Sequence, residues 1–166
     1  MMHAQQSKPD LTHPPVAGGA GDTETIAVET RFGTITFGSK NIVDFPHGLI
    51  GLPQSRRFGL SPIPDQRMGQ FMILQSLEDL GLSFLVLPLQ PGPNTIERAD
   101  IEEACATIAV PADEADFFTV ITLRKADQGG LAVSANLRAP IIVDAKSRIA
   151  RQCLLSNPRY PIRHPL

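Results

Sequence analysis

The stretch FMILQSLEDLGLSFLVLPL, residues 71–89, holds two apolar runs of strand length, Phe71–Leu77 and Leu82–Leu87. The four residues between them, Glu78–Gly81, combine acidic side chains with a glycine and favour a turn. Short apolar runs joined by a tight turn are typical of neighbouring antiparallel strands. This stretch therefore predicts two paired β-strands and directs attention to similar runs elsewhere in the chain.

Such runs recur on both sides of residues 71–89. Upstream, Thr25–Phe37 alternates apolar and polar residues about Gly33 and predicts a hairpin, and Asn41–Phe45 predicts a short strand that stops at Pro46 and Gly48. Downstream, four further runs predict strands: Phe117–Leu123, Leu131–Leu137, Ile141–Asp144 and Ile149–Leu155. The strands are short and are separated by turns rather than by helices.

One segment predicts a helix, Asp100–Thr107, with Asp100 as its N-cap and Glu102 and Glu103 near its positive end. A second short turn is expected near Pro111. The segments between strands are too short for the helical crossovers that a parallel sheet requires. The sequence therefore predicts a mainly β fold, a small antiparallel β-barrel-like domain with one or two short helices.

The chain has 166 residues and a mass of 18.0 kDa, which fits one domain. Residues 1–24 are rich in proline and glycine and poor in large apolar residues, so they predict a disordered extension before a folded domain at residues 25–166. The N-terminus has no apolar stretch like that of a signal peptide, and no run is long enough to span a bilayer. We therefore expect a cytoplasmic protein.

No sequence motif for catalysis or for nucleotide or metal binding is present, so we expect no enzyme activity, no catalytic residue, no cofactor and no metal. His47 and His164 each adjoin a proline, and loop residues are a better interpretation of them than metal ligands or a catalytic base. Cys105 and Cys153 are interpreted as small core residues rather than nucleophiles, because a reactive thiol needs an identifiable base or cationic neighbour.

Charge is distributed unevenly along the chain although the net charge is only −2. Residues 78–116 contain nine acidic residues and one basic residue, whereas residues 138–166 contain six basic residues and one acidic residue. Two interpretations are open. The two segments attract each other within the fold, or the acidic segment steers a basic partner towards the protein and repels polynucleotides.

Three segments have restricted backbones that suit either recognition loops or purely structural turns. They are FPHGLIG at residues 45–51, ANLRAPI at residues 135–141 and YPIRHPL at residues 160–166. Glycine and proline give the first a defined shape, and a proline in the second marks a strand start, edge or bulge. The third ends the chain with two X-Pro steps.

Taken in order, several motifs resemble the flagellar assembly factor FliW family. They are FPHGLIG (45–51) followed by Phe58, FMILQSLEDLGLSFLVLPL (71–89), VITL (120–123), SANLRAPIIVDAKSRIARQ (134–152), and Tyr160 with RHPL (163–166). Their order and spacing extend over residues 25–166, nearly all of the predicted folded region.

The resemblance implies a small β-barrel-like protein that binds other proteins. Members of the family bind the translational regulator CsrA, which relieves its repression of flagellin mRNA, and they also bind flagellin. The resemblance implies no small-molecule substrate, no membrane and no direct contact with nucleic acid. Together with the acidic segment and the three loops it gives these candidate protein-binding residues: Phe45, Pro46, His47, Gly48, Leu49, Glu102, Glu103, Asp113, Asn136, Arg138, Pro140, Arg163, His164 and Pro165.

Two other functions remain as alternatives. A small β-barrel that binds RNA directly would be favoured by the basic C-terminal segment, although one tyrosine, no tryptophan and the acidic segment argue against it. An enzyme that uses His47 or His164 has no second catalytic partner at a recognisable spacing.

Overall fold

A computed structural model describes residues 25–166 of the protein. The predicted extension, residues 1–24, lies outside the described residues. No helix between residues 25 and 166 has the length and apolar character needed to cross a membrane. The elements are β1 (Thr25–Thr30), β2 (Gly33–Gly38), β3 (Ile42–Asp44), β4 (Arg57–Pro62), β5 (Met72–Ser76), β6 (Ser83–Pro88), α1 (Arg98–Thr107), β7 (Ala115–Lys125), β8 (Leu131–Ala135), β9 (Ile141–Asp144), β10 (Ala150–Gln152) and β11 (His164–Pro165).

The strands form a hairpin and one large curled sheet. β1 and β2 pair only with each other, and the large sheet has the order β10-β9-β7-β6-β5-β4-β3. β8 pairs with the second half of β7, and β11 pairs with β8. The sheet curls until its two end strands meet at one parallel bridge between Asp44 and Ile149. The fold is therefore mainly antiparallel β and barrel-like, but the barrel is not closed.

Both faces of the central strands are buried, which explains why their sequences are continuously apolar instead of alternating. In β5, Leu74 packs inside the curled sheet, while Ile73 packs on its outside. Hairpin β1–β2 and helix α1 cover the outer face. The inner cluster consists of Val43, Phe45, Leu49, Phe58, Leu60, Leu74, Val86, Phe118, Ile141, Val143 and Ala150.

Gly59 in β4 lets the β1–β2 hairpin lie directly on the sheet. A Cβ on Gly59 would come within 2.6 Å of Cε1 of Phe37, whose side chain is fully buried. The hairpin contributes Val28, Ile35 and Phe37 to the outer cluster. Glycine at this one position in β4 is thus required by the close approach of an aromatic ring.

The predicted strands are confirmed, with shifts of a few residues at their ends. Strand β4 was not predicted, because Gly59, Ser61 and Pro62 interrupt its apolar pattern, and β11 was not predicted, because it is only two residues long. The short turn expected near Pro111 is a 3-10 turn at Ala112–Glu114.

The predicted start of the helix is wrong. α1 begins at Arg98, with Glu97 at the N-cap position and no side-chain capping bond, and Asp100 lies in the first turn. The Asp100 carboxylate instead accepts a hydrogen bond from the Tyr160 hydroxyl. The Asp100 carboxylate, which the local pattern assigned to the N-cap, is therefore bonded by a residue 60 positions away in the sequence.

Candidate protein-binding surface

The described residues contain no cluster of His, Cys, Asp and Glu that could hold a metal ion. His47 lines a cavity of about 90 Å³ with Pro46 and Ile149. His164 lies in β11 opposite Ala135 and lines a different cavity, beside Tyr160. The structure therefore does not bring the two histidines together.

The loop at residues 45–49 is held rigidly by both its backbone and its side chains. The amide of Gly48 donates to the Phe45 carbonyl at 2.9 Å, and Leu49 and Leu52 exchange two backbone hydrogen bonds. The side chains of Phe45 and Leu49 are buried in the inner cluster, whereas Pro46 and His47 are exposed. Only Pro46 and His47 of this predicted segment thus offer side chains to a partner.

The segment at residues 136–140 is occupied by contacts within the chain. The Asn136 side chain accepts from the amides of Arg138 and Ala139, and the Arg138 guanidinium donates to the Asn157 carbonyl at 3.0 Å. The side chain of Pro140 is buried, and its carbonyl accepts from the Cys153 amide. These contacts account for the shape of the turn, and a role in partner binding stays a prediction.

The C-terminal segment lies beside that turn. His164 is opposite Ala135, and the amide of Leu137 donates to the Pro161 carbonyl at 3.1 Å. Arg163 and Pro165 are exposed. The structure therefore brings the predicted residues of the second and third loops together on one side of the sheet.

Part of the charge asymmetry is neutralised inside the fold. Arg159 pairs with Glu97 at 2.9 Å and with Asp100 at 3.5 Å, and Lys146 pairs with Glu114 at 2.6 Å. Three of the five ion pairs between described residues thus join the acidic segment to the basic one. The interpretation that the two segments attract each other is correct for these residues.

Tyr160 stands at the centre of this contact between the C-terminal segment and the start of α1. Its hydroxyl accepts from the Glu97 amide at 3.1 Å and from the Arg159 guanidinium at 2.8 Å. The hydrogen bond to the Glu97 carboxylate is the main cause that raises the pKa of Arg159, and Tyr160 adds to it. The network fixes the C-terminal segment against the helix that carries the acidic candidates.

Three acidic candidates remain outside these ion pairs. Glu102 and Glu103 are exposed on α1, and Asp113 is exposed in the following 3-10 turn. None has a cationic nitrogen within 4.0 Å among residues 25–166. Glu103 accepts one hydrogen bond, from the Ser156 hydroxyl at 3.3 Å. Their charge is therefore available to act on a partner in solution.

A groove that the sequence did not reveal runs between α1 and β10. A cavity of about 270 Å³ is lined by α1 residues including Glu103 and by residues 151–156. It shares Ile108 and Arg151 with the smaller cavity at Pro46 and His47. Segments far apart in the chain build this groove, so no local pattern could have indicated it.

The two cysteines lie on this side of α1, and the pKa of each thiol is raised. Burial raises the pKa of Cys105 to about 11, with smaller contributions from the nearby Cys153 and Glu102. Burial also raises the pKa of Cys153, which the charge of Arg151 only partly opposes. Cys105 is buried and Cys153 is half-buried in the groove.

We expect iodoacetamide at pH 7.5 to alkylate Cys153 more slowly than free cysteine and Cys105 hardly at all, because both thiols stay protonated. The Cys153 rate should still be rising above pH 9, because the pKa of this thiol lies above its ordinary value. Mass spectrometry of tryptic peptides after timed quenching measures both rates. Rapid alkylation of Cys153 at neutral pH would contradict this expectation and would indicate a stabilised thiolate.

The sequence of this chain is similar to a known protein family and to several of its members. The family model described as FliW protein matches residues 26–166. The flagellar assembly factor FliW of Bdellovibrio bacteriovorus is 33% identical over 141 residues, which cover 82% of this chain and 76% of that protein. The FliW of Clostridium botulinum strain Langeland is 28% identical over 137 residues, which cover 81% and 91%.

A solved structure has the same fold. The crystal structure of a flagellar assembly factor FliW superimposes with a TM-score of 0.61 over 86% of this chain and 96% of that one. The two sequences are 23% identical over the match, so this likeness concerns the fold.

Proposed function

The chain belongs to the FliW family of flagellar assembly factors, and from this premise we propose that it acts by binding two proteins in the cytoplasm, CsrA and flagellin. Binding of CsrA relieves repression of flagellin mRNA translation. Binding of flagellin competes for the factor, and this competition couples flagellin synthesis to flagellum assembly. In this proposal the protein needs no cofactor and performs no catalytic step.

The exposed, unpaired acids Glu102 and Asp113 are the observation that carries the CsrA part of the proposal. A regulator that binds messenger RNA must present basic surface to the phosphates. Carboxylates that are not neutralised within the fold attract such a surface over long range. Because this attraction acts before contact, it increases mainly the association rate.

We expect the double variant Glu102→Lys/Asp113→Lys to associate with CsrA about tenfold more slowly at low ionic strength, with a flatter salt dependence. The dissociation rate should change much less. Surface-plasmon kinetics at two salt concentrations measures both rates. The same variant should lose less affinity for flagellin if flagellin binds at residues 45–49 or 163–165.

Glu29→Lys/Asp127→Lys is the matched control, because it makes the same change in net charge on the β1 strand and in the β7–β8 turn, at exposed positions. This control should associate with CsrA nearly as fast as the parent. Equal slowing by both variants would show that net charge alone acts, and unchanged association of the α1 variant would show that its acids merely face solvent.

The alternative, direct RNA binding, is weakened by the ion pairs described above. Arg159 and Lys146 are held by acidic residues, and Arg138 is bonded to the Asn157 carbonyl. Two of the six cations in the basic segment are thus neutralised, which lowers the number of counterions it can release from a phosphate backbone. Filter binding of flagellin mRNA to the protein alone tests this alternative, and tight binding that weakens steeply with salt would support RNA binding over the proposed function.

A further inference from the structure

Strand β10 has an unpaired outer edge. The Cys153 amide donates to Pro140 and the Leu155 amide to Arg138, so the odd-numbered residues of this segment face β9. In an antiparallel pair, the backbone groups of the alternate residues point the other way. Gln152 and Leu154 therefore direct their amides and carbonyls outward, and no residue between 25 and 166 hydrogen-bonds to them.

The opposite end of the sheet does not cover this edge. β3 meets β10 only at Asp44, whose amide donates to the Arg148 carbonyl at 3.0 Å. Directly afterwards the chain turns away, because the Phe45 amide bonds to Arg56 on β4. Beyond that point one hydrogen bond, from the Ile50 amide to the Gln152 side chain at 3.0 Å, joins the loop to β10. Ala150 and Arg151 line the small cavity together with Pro46 and His47, so the edge remains open along residues 152–154.

The groove between α1 and β10 lies along this open edge. Its floor includes Ile108, and Cys153 is half-buried in it. Beside it, the Leu154 side chain is 67% exposed. Outer strand edges in native proteins are usually covered or blunted by charge, because they pair readily with other chains. The outer edge of β10, in contrast, lies beside the exposed apolar side chain of Leu154 and has no strand paired with it among residues 25–166.

The charged residues along the groove indicate which side chains a bound segment would carry. Glu103 faces the groove from α1, and its carboxylate has no cation near it within the described part of the chain. Arg151 stands where the two cavities meet, and it forms no ion pair with any residue from 25 to 166. An occupant with one basic and one acidic side chain on the same face would complement both groups.

We propose that an extended segment of a partner protein binds here as an additional strand, paired with the outer edge of β10. Its basic side chain lies against Glu103 and its acidic side chain lies against Arg151, while its apolar residues, which alternate to the opposite face of the strand, cover Leu154. Residues 152–154 offer about 10 Å of free edge, since a strand advances about 3.3 Å per residue. The inference rests on the proposed function only in that a protein partner exists.

Synthetic peptides test strand addition without using either proposed partner. The probes are Thr-Lys-Val-Thr-Val-Glu-Thr and its reversed sequence, each also prepared with N-methyl groups on its even or on its odd amides. Strand pairing uses only alternate amides. One methylated form should therefore bind about tenfold more weakly or worse, and the other should bind like the parent peptide.

Amide NMR of the full-length protein is the measurement. We expect chemical-shift changes and slower hydrogen exchange at Gln152 and Leu154 when the unmethylated peptide is added. Absence of binding by both sequences, or equal binding by both methylated forms, overturns the proposal. Because CsrA and flagellin are absent, either result leaves the proposed function standing.

Glu103→Lys and Glu102→Lys form a matched pair of neighbouring exposed positions, of which only Glu103 lines the groove. Glu103→Lys should weaken peptide binding about fivefold, and Glu102→Lys should leave it nearly unchanged. Equal effects would contradict the assigned position of the basic side chain. Sedimentation of the protein alone tests a different occupant, since dimers that dissociate on Leu154→Asp would assign the edge to a second copy and overturn the proposal.

Discussion

Replacing Gly48 with alanine should destabilise the protein by about 2–5 kcal/mol, because backbone strain and a steric clash act together. Gly48 has a φ of +66°, a left-handed conformation that alanine adopts at a cost. Its Cβ would also collide with the Leu52 carbonyl and lie 2.7 Å from the Pro53 carbonyl carbon. Urea unfolding followed by circular dichroism measures the loss as a lower midpoint at unchanged slope.

Gly51→Ala is the matched control for this prediction. Gly51 lies in the same loop with a φ of +83°, but a Cβ there would meet no atom within 4 Å. The Gly51→Ala variant should therefore lose about 1–2 kcal/mol of unfolding free energy, the cost of the left-handed backbone conformation alone. Similar losses in the two variants would mean that the loop shifts to remove the clash, and that residues 45–49 are less rigid than their hydrogen bonds indicate.

Phe58→Ala should cost about 3–5 kcal/mol of unfolding free energy, the usual range for a fully buried phenylalanine. The Phe58 side chain is completely buried inside the curled sheet. Its ring meets Phe45 edge-on, with centroids 5.3 Å apart, and lies 6.4 Å from the ring of Phe84. Truncation leaves a cavity and removes the support of the loop that begins at Phe45.

Leu80→Ala serves as the control, because Leu80 is 60% exposed in the turn between β5 and β6. It should change stability by about 0.5 kcal/mol at most. Calorimetric unfolding of both variants gives the comparison. A Phe58→Ala protein that unfolds within a few degrees of the parent would mean that the neighbouring aromatic rings collapse into the space.

The strands could be predicted from sequence because their apolar runs have strand length and end at turn residues. Phe71–Leu77 and Leu82–Leu87 correspond to β5 and β6, and Ile141–Asp144 is β9 without change. Strand β4 could not be found in this way. Its Gly59 serves the approach of Phe37 from the β1–β2 hairpin, a contact that local pattern does not encode.

Sequence alone could predict the charge of the candidate surface, because charge belongs to single residues. It could not predict features that depend on how distant segments pack together. The charge imbalance was visible in the sequence, but its partial cancellation depends on where Arg159 and Lys146 fold. The sequence also did not indicate that, in the loop at residues 45–49, the side chains of Phe45 and Leu49 are buried in the core. The groove along β10 depends wholly on tertiary structure.

The bridge between Asp44 and Ile149 also affects how the protein is made on the ribosome. Its two residues are separated by about 105 positions, so β3 has no partner on this side until nearly the whole chain is synthesised. At about 5–20 residues per second, that delay lasts roughly 5–20 seconds. During this interval the nascent chain exposes the free side of β3, and a chaperone or a neighbouring nascent chain can pair with it there before β10 emerges.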